Sequence, residues 1–150
     1  AIAEAFARRG DTAESVQWVQ KAEGAGVGLT EGAYIIMIDA FAKLGDVDRS
    51  AYWFRRMEDA GVRPNEVTYN TMVKAYAKQG DAAKSTEWFR RMERAGIKPD
   101  VVGFTTMVGV FAKKGDSTRS VEWFRSMEDA GVKPDAFVFS MMVNMFAKRG

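Results

Sequence analysis

The sequence predicts an all-α solenoid of tandem helix-turn-helix units, on three observations. A single phrase recurs along the 150-residue chain at a fixed step of 35 residues. Apolar residues within each copy fall at the 3, 4, 7, 8 spacing of one helix face. Gly-Asp and Pro punctuation cuts each copy into two segments of helical length. A period of this size marks units that bury their apolar faces only against their neighbours.

The recurrence is read directly. GDVDRSAYWFRRMEDAGVRPN begins at Gly45, GDAAKSTEWFRRMERAGIKPD at Gly80 and GDSTRSVEWFRSMEDAGVKPD at Gly115, with a weaker copy, GDTAESVQWVQKAEGAGVGLT, at Gly10. Trp18, Trp53, Trp88 and Trp123 keep the same step, as do Ala7, Ala42, Ala77, Ala112 and Ala147. Phased as 31–65, 66–100 and 101–135, the last two repeats agree at 20 of 35 positions, which chance does not produce. The array then fills 1–150, with 1–30 a repeat short of its start and 136–150 a repeat cut after its first helix. A longer parent array is expected, and the apolar Met141, Met142, Val143 and Phe146 make end-to-end association of truncated arrays a further expectation.

The first helix of the middle repeat is placed over Val67 to Lys78, with Tyr69, Met72, Val73, Tyr76 and Ala77 on one stripe. Its copies are Tyr34, Met37, Ile38, Phe41, Ala42 and Phe104, Met107, Val108, Phe111, Ala112. Gly80 ends that helix because glycine takes the left-handed cap conformation. Asp81 follows as N-cap of the second helix, accepting a backbone N–H that has no helical partner. The second helix spans Ala82 to Arg94 with Ser85, Trp88, Phe89 and Met92 inward; Gly96 stops it and Pro99 prevents its resumption. The tryptophans are read as core, and the mixed Arg, Glu and Asp residues of the second helices as a solvated outer face.

Composition excludes whole classes of chemistry. There is no Cys and no His, which removes thiolate and imidazole metal sites and Ser-His-Asp or Cys-His nucleophiles. Asp11, Asp46, Asp81 and Asp116 each lie in a different repeat and form no catalytic pair. No enzyme, metal or cofactor is expected within these residues. No apolar run is long enough for a membrane span and no signal peptide opens the sequence, so any targeting segment lies outside it. The formal charge is +2, and placement matters more than the sum. Lys43, Lys78, Lys113 and Lys148, with Arg8 before them, recur at the ends of first helices as a basic stripe. Such a stripe suits one phosphate per repeat, or serves only as helix C-terminal cations.

The 35-residue period, the Gly-Asp turn, VTYNTMVKAYAKQGD at Val67–Asp81 and EWFRRMERAGIKPD at Glu87–Asp100 together resemble the pentatricopeptide repeat family. A 34-residue tetratricopeptide array fits less well, given the period and the Lys-Pro-Asp ending. The resemblance covers essentially the whole chain and implies a right-handed α-α superhelix. Its first helices would line a concave face holding single-stranded RNA, one nucleotide per repeat. It also implies an organellar setting, mitochondrion or chloroplast, and a part in RNA processing, stability, editing or translation.

In that family one residue in the first helical turn and the residue closing the repeat together choose the base. Carried over, the pairs are Ile35 with Asn65, Asn70 with Asp100, and Thr105 with Asp135. Ser140 lacks its closing partner, and Thr30 closes a repeat whose selector is missing. Asn70 with Asp100 resembles a uracil reader and Thr105 with Asp135 a guanine reader. Ile35 departs from the pattern, because its side chain makes no hydrogen bond to a base edge. Val67, Val102 and Phe137 would wedge between bases, with Gly32 in the equivalent place of the repeat before them. The closing Asp residues stand at first-helix N-termini, where capping alone also accounts for them. The alternative function is a structural or protein-binding subunit of an organellar ribonucleoprotein or polymerase assembly, with other proteins as partners.

Overall fold

The computed structural model describes residues 12–149, of which the Arg149 side chain is excepted. Eight helices occupy those residues and no strand occurs among them. In chain order they are α1 (Thr12–Gly24), α2 (Glu31–Lys43), α3 (Val47–Asp59), α4 (Glu66–Lys78), α5 (Ala82–Arg94), α6 (Val101–Lys113), α7 (Ser117–Asp129) and α8 (Ala136–Arg149). First helices are α2, α4, α6 and α8; second helices are α1, α3, α5 and α7. The expected helix at Val67 starts one residue earlier, at Glu66, and the expected Ala82–Arg94 helix has those bounds.

The turn between first and second helix is three residues long because one residue serves both. At Leu44-Gly45-Asp46 the Gly45 N–H donates to Ala42 O and the Asp46 N–H to Phe41 O, both at 3.0 Å. This pair of bonds closes a helix around a left-handed residue, and Gly45 supplies it with φ +78°. Asp46 then turns its side chain to the next helix and accepts from the Arg49 N–H at 3.1 Å. Asp81 does the same for Lys84 and Asp116 for Arg119. Gly10-Asp11 lies outside the described residues.

The chain divides into two compact units, residues 1–72 and 73–150, with the division inside α4. In the first unit α2 packs against α3 and α1. Tyr34, Met37, Ile38 and Phe41 of α2 meet the apolar side of α3, where Trp53, Phe54 and Met57 are buried. Phe54 also meets Tyr69 edge-on with ring centroids 5.1 Å apart. In the second unit α6 packs against α5, α7 and α8. Phe89 sits between Phe104, at 5.1 Å, and Trp123, at 4.7 Å, so one ring ties a second helix to both helices that follow. Each fully buried Phe or Met contributes roughly 1.5–3 kcal/mol by leaving water.

A buried serine recurs in every second helix: Ser15, Ser50, Ser85 and Ser120. Three of them donate to a carbonyl twelve residues earlier on the partner helix, Ser50 to Ile38 O, Ser85 to Val73 O and Ser120 to Val108 O. The outer face is less solvated than the sequence suggests. Arg56 and Arg91 are half-buried, lying over Trp53 at 4.8 Å and Trp88 at 4.7 Å. Arg90 covers Trp123 at 4.8 Å. A guanidinium stacks on an indole face without losing its hydration edge.

Candidate nucleic-acid interface

The first-helix face is built from residues that the apolar stripe leaves outside. In the second unit, α6 and α8 approach closely at Gly109, where a Cβ would stand 3.3 Å from Met141 Sδ. This leaves a cleft of about 510 Å³ lined by Gly109, Lys113, Phe137, Met141, Asn144 and Lys148, with Ala112, Gly115 and Met145 completing its wall. A second cleft, about 470 Å³, adjoins it and is lined by Phe137, Ser140, Met141 and Asn144. Thus one expected wedge, Phe137, two expected phosphate contacts, Lys113 and Lys148, and one expected selector, Ser140, are brought together. Met141, Asn144 and Gly109 line the same surface and were not singled out for it from sequence. Their counterparts in other repeats differ in type, so a search for residues recurring at 35 passes over them.

The remaining expected wedges, Val67 and Val102, project from α4 and α6 with 61% and 39% exposure; Phe137 is 56% exposed. Three large apolar side chains at the same step in three helices, all left in solvent, are not core residues. Gly32 is exposed. Of the selectors, Ile35 and Thr105 are half-buried and Ser140 exposed, whereas Asn70 is buried at 9% exposure. Thr105 and Asp135 line neither cleft.

Every repeat-closing residue caps the following first helix. Thr30 accepts from the Ala33 N–H at 3.2 Å, Asn65 from Thr68 at 3.1 Å, Asp100 from Gly103 at 3.2 Å and Asp135 from Val138 at 3.0 Å. In the two aspartates the capping bond uses Oδ1. Asn65 makes two further bonds. Its Oδ1 also accepts from the Thr68 hydroxyl at 3.0 Å, and its Nδ2 donates to Glu31 at 3.2 Å.

Lys43, Lys78, Lys113 and Lys148 are all exposed. Lys43 is held by Asp39, one turn earlier, at 2.9 Å. Arg8 lies outside the described residues. No helix among the described residues is long and apolar enough to cross a membrane.

Tandem helical hairpins, with exposed apolar residues and exposed lysines recurring at one step, define a helical repeat protein. Models of the PPR repeat family match at residues 30–78, 64–113 and 99–148, which is most of the chain. The chain belongs to the PPR repeat family.

Among solved structures, the pentatricopeptide repeat protein PPR10 in complex with an 18-nt psaJ RNA element is similar at 25% identity and a TM-score of 0.78, over 94% of this chain and 21% of that one. PPR10 from maize is 22% identical with a TM-score of 0.75, over 97% and 21%. The PPR domain of Arabidopsis thaliana protein-only RNase P 1, in complex with tRNA, is 19% identical with a TM-score of 0.81, over 98% and 78%. This chain spans about a fifth of the PPR10 structures it matches. No individual curated protein matches it.

Proposed function

We propose that the chain binds single-stranded RNA along its first-helix face, about one nucleotide per repeat. The carrying observation is the α6–α8 surface, where Phe137, Lys113 and Lys148 line one cleft and Phe137 and Ser140 line the cleft beside it. Unstacked bases need an apolar side chain to lie against, a short polar group for their edge and a cation for their phosphate. That combination is present there. The PPR10 structure with its RNA element supports the reading by likeness. Selection falls to Asn70 and Asp100 for uracil and to Thr105 and Asp135 for guanine, with Val67, Val102 and Phe137 as wedges. Ile35 with Asn65 selects nothing by hydrogen bonding, and Ser140 contributes a single hydroxyl. An organellar location and a role in RNA processing or stability belong to the same proposal.

The test is a titration with short single-stranded RNAs that differ only in a U-G step, at fixed near-physiological salt, beside double-stranded RNA and single-stranded DNA. A U-G preference that moves toward G-G with Asn70→Thr supports base readout. Absence of binding to every single-stranded RNA overturns it.

One observation favours a protein partner on a different face. Tyr52 is 52% exposed on α3, where the other second helices carry Gln17, Glu87 and Glu122. With Arg49, Trp53, Arg56, Gln17 and Gln20 it lines a cleft of about 510 Å³ in the first unit. Tyr, Trp and Arg are the side chains that anchor protein interfaces. Tyr52→Glu is expected to spare RNA affinity and to abolish any association that uses this face, measured by co-purification with the parent assembly.

A further inference from the structure

We propose that the 31–65 repeat is a blank step, accommodating a nucleotide without reading its base or gripping its phosphate, and that Glu31 and Asp39 make it so. The inference rests on the RNA reading above. Three separate observations within the first unit carry it.

The selector is Ile35, which offers a base edge no donor and no acceptor. The closing residue, Asn65, is the one amide among the closing positions. A side-chain amide reads a base by presenting a donor and an acceptor side by side. Here both acceptor directions of Oδ1 are taken, by the backbone N–H and the hydroxyl of Thr68. Glu31, the first residue of the same repeat, takes an Nδ2 hydrogen. First and last residues of the repeat thus close on each other, and the amide has no donor-acceptor edge left to present.

The phosphate position is also cancelled. Asp39 stands one turn before Lys43 on α2 with the two charged groups 2.9 Å apart. At that step the later repeats carry Lys74, Gly109 and Asn144. The pair is exposed, and its strength is immaterial. A phosphate a few ångströms farther out meets a net charge of zero whether or not the two groups stay in contact. On α4, by contrast, Lys74 and Lys78 share a helix face with like sign. The sequence repeats the cancelling pattern upstream, with Glu4 four residues before Arg8. Grip and selection are therefore assigned to the repeats from residue 66 onward.

The experiment uses the whole chain and a single-stranded RNA in which one abasic nucleotide is moved along the sequence, with Kd measured against salt. One position, immediately beside the preferred U, is expected to tolerate the abasic nucleotide within about twofold, whereas the U and G positions lose on the order of tenfold or more. The double variant Asp39→Asn with Lys43→Ala, which removes both charges, is expected to leave the salt slope unchanged. Asp39→Asn should steepen it by about 0.7, the value of one added phosphate contact on a single strand. A slope for the double variant that falls as far as that of Lys113→Ala, or an abasic loss at every position, overturns the blank step while RNA binding stands. Failure of both the unmodified chain and Asp39→Asn to bind RNA at low salt, with helical content unchanged, overturns the RNA reading and this inference with it.

Discussion

Ser85 Oγ donates a 3.1 Å hydrogen bond to the carbonyl of Val73, joining the second helix of a hairpin to the first at a point sealed from water. The carbonyl belongs to a residue inside α4, so the serine adds a bond on a helical acceptor rather than replacing the helix's own. The same step occurs at Ser50 and Ser120, which makes the serine a hairpin clamp. Ser85→Ala is expected to cost about 1 kcal/mol, since the carbonyl keeps its helical partner. Ser85→Val should cost more, because its second methyl group has no counterpart in serine and enters a fully buried site. Thermal melts followed by circular dichroism check both, and an unchanged Ser85→Ala melt refutes the clamp.

Gly115 and Gly109 are both glycines of the second unit, and they respond differently to alanine. Gly115 has φ +73°, where a Cβ costs roughly 1–2 kcal/mol even in open space. Gly109 has ordinary helical backbone, and its added Cβ meets only the flexible end of Met141. Alanine there gains about 1 kcal/mol of helix propensity, which offsets the shift of the methionine. Gly115→Ala should lower the melting temperature by several degrees and Gly109→Ala by little or nothing. Gly109→Ala narrows the cleft, so it is expected to weaken RNA binding without weakening the fold.

Much of this architecture was readable from particular residues. Gly45-Asp46, Gly80-Asp81 and Gly115-Asp116 announce a left-handed stop followed by a cap, and the helices obey them to within a residue. The apolar stripes predicted the core because burial in each hairpin follows helical spacing. The serine clamp was half visible: Ser85 fell on the inward stripe, but its acceptor lies across the hairpin and carries no side-chain signature. Glu31 and Asn65 stand at opposite ends of a repeat and meet only once both helices are placed. Asp39 is hidden for another reason: its distance from Lys43 is local, but it does not recur at 35. The enclosure of Asn70 was likewise invisible, because it stands just outside the apolar stripe of α4, yet Thr68 and Tyr69 before it and Met72 and Val73 after it are all buried.

Asp100 has two assigned roles that substitution separates. As cap of α6 it accepts from the Gly103 N–H. As repeat-closing residue it is proposed to face a base. Asn caps as well as Asp, so Asp100→Asn should keep the melting temperature and change base preference. Asp100→Ala should cost about 1 kcal/mol and lose preference. Asp116→Ala, at a second-helix cap, should cost a similar amount and leave preference intact. If Asp100→Asn leaves the base preference as it was, capping alone explains the residue.

Lys113, Lys148 and Phe137 line one cleft, and the two kinds of side chain predict different signatures. A lysine on a phosphate acts through counterion release, so its loss weakens binding to all sequences alike and flattens the salt dependence by about 0.7 per contact. A ring against a base acts through stacking, worth about 1–3 kcal/mol per base and insensitive to salt. Lys113→Ala and Lys148→Ala are therefore expected to reduce the slope of log K against log salt, each by a similar amount. Phe137→Ala should lower affinity at every salt concentration with the slope preserved. Phe137 is 56% exposed, so its truncation leaves no cavity and the melt should not move. Should Phe137→Ala instead unfold α8 while affinity survives in the remaining array, the ring is a packing residue and the cleft is not where RNA lies.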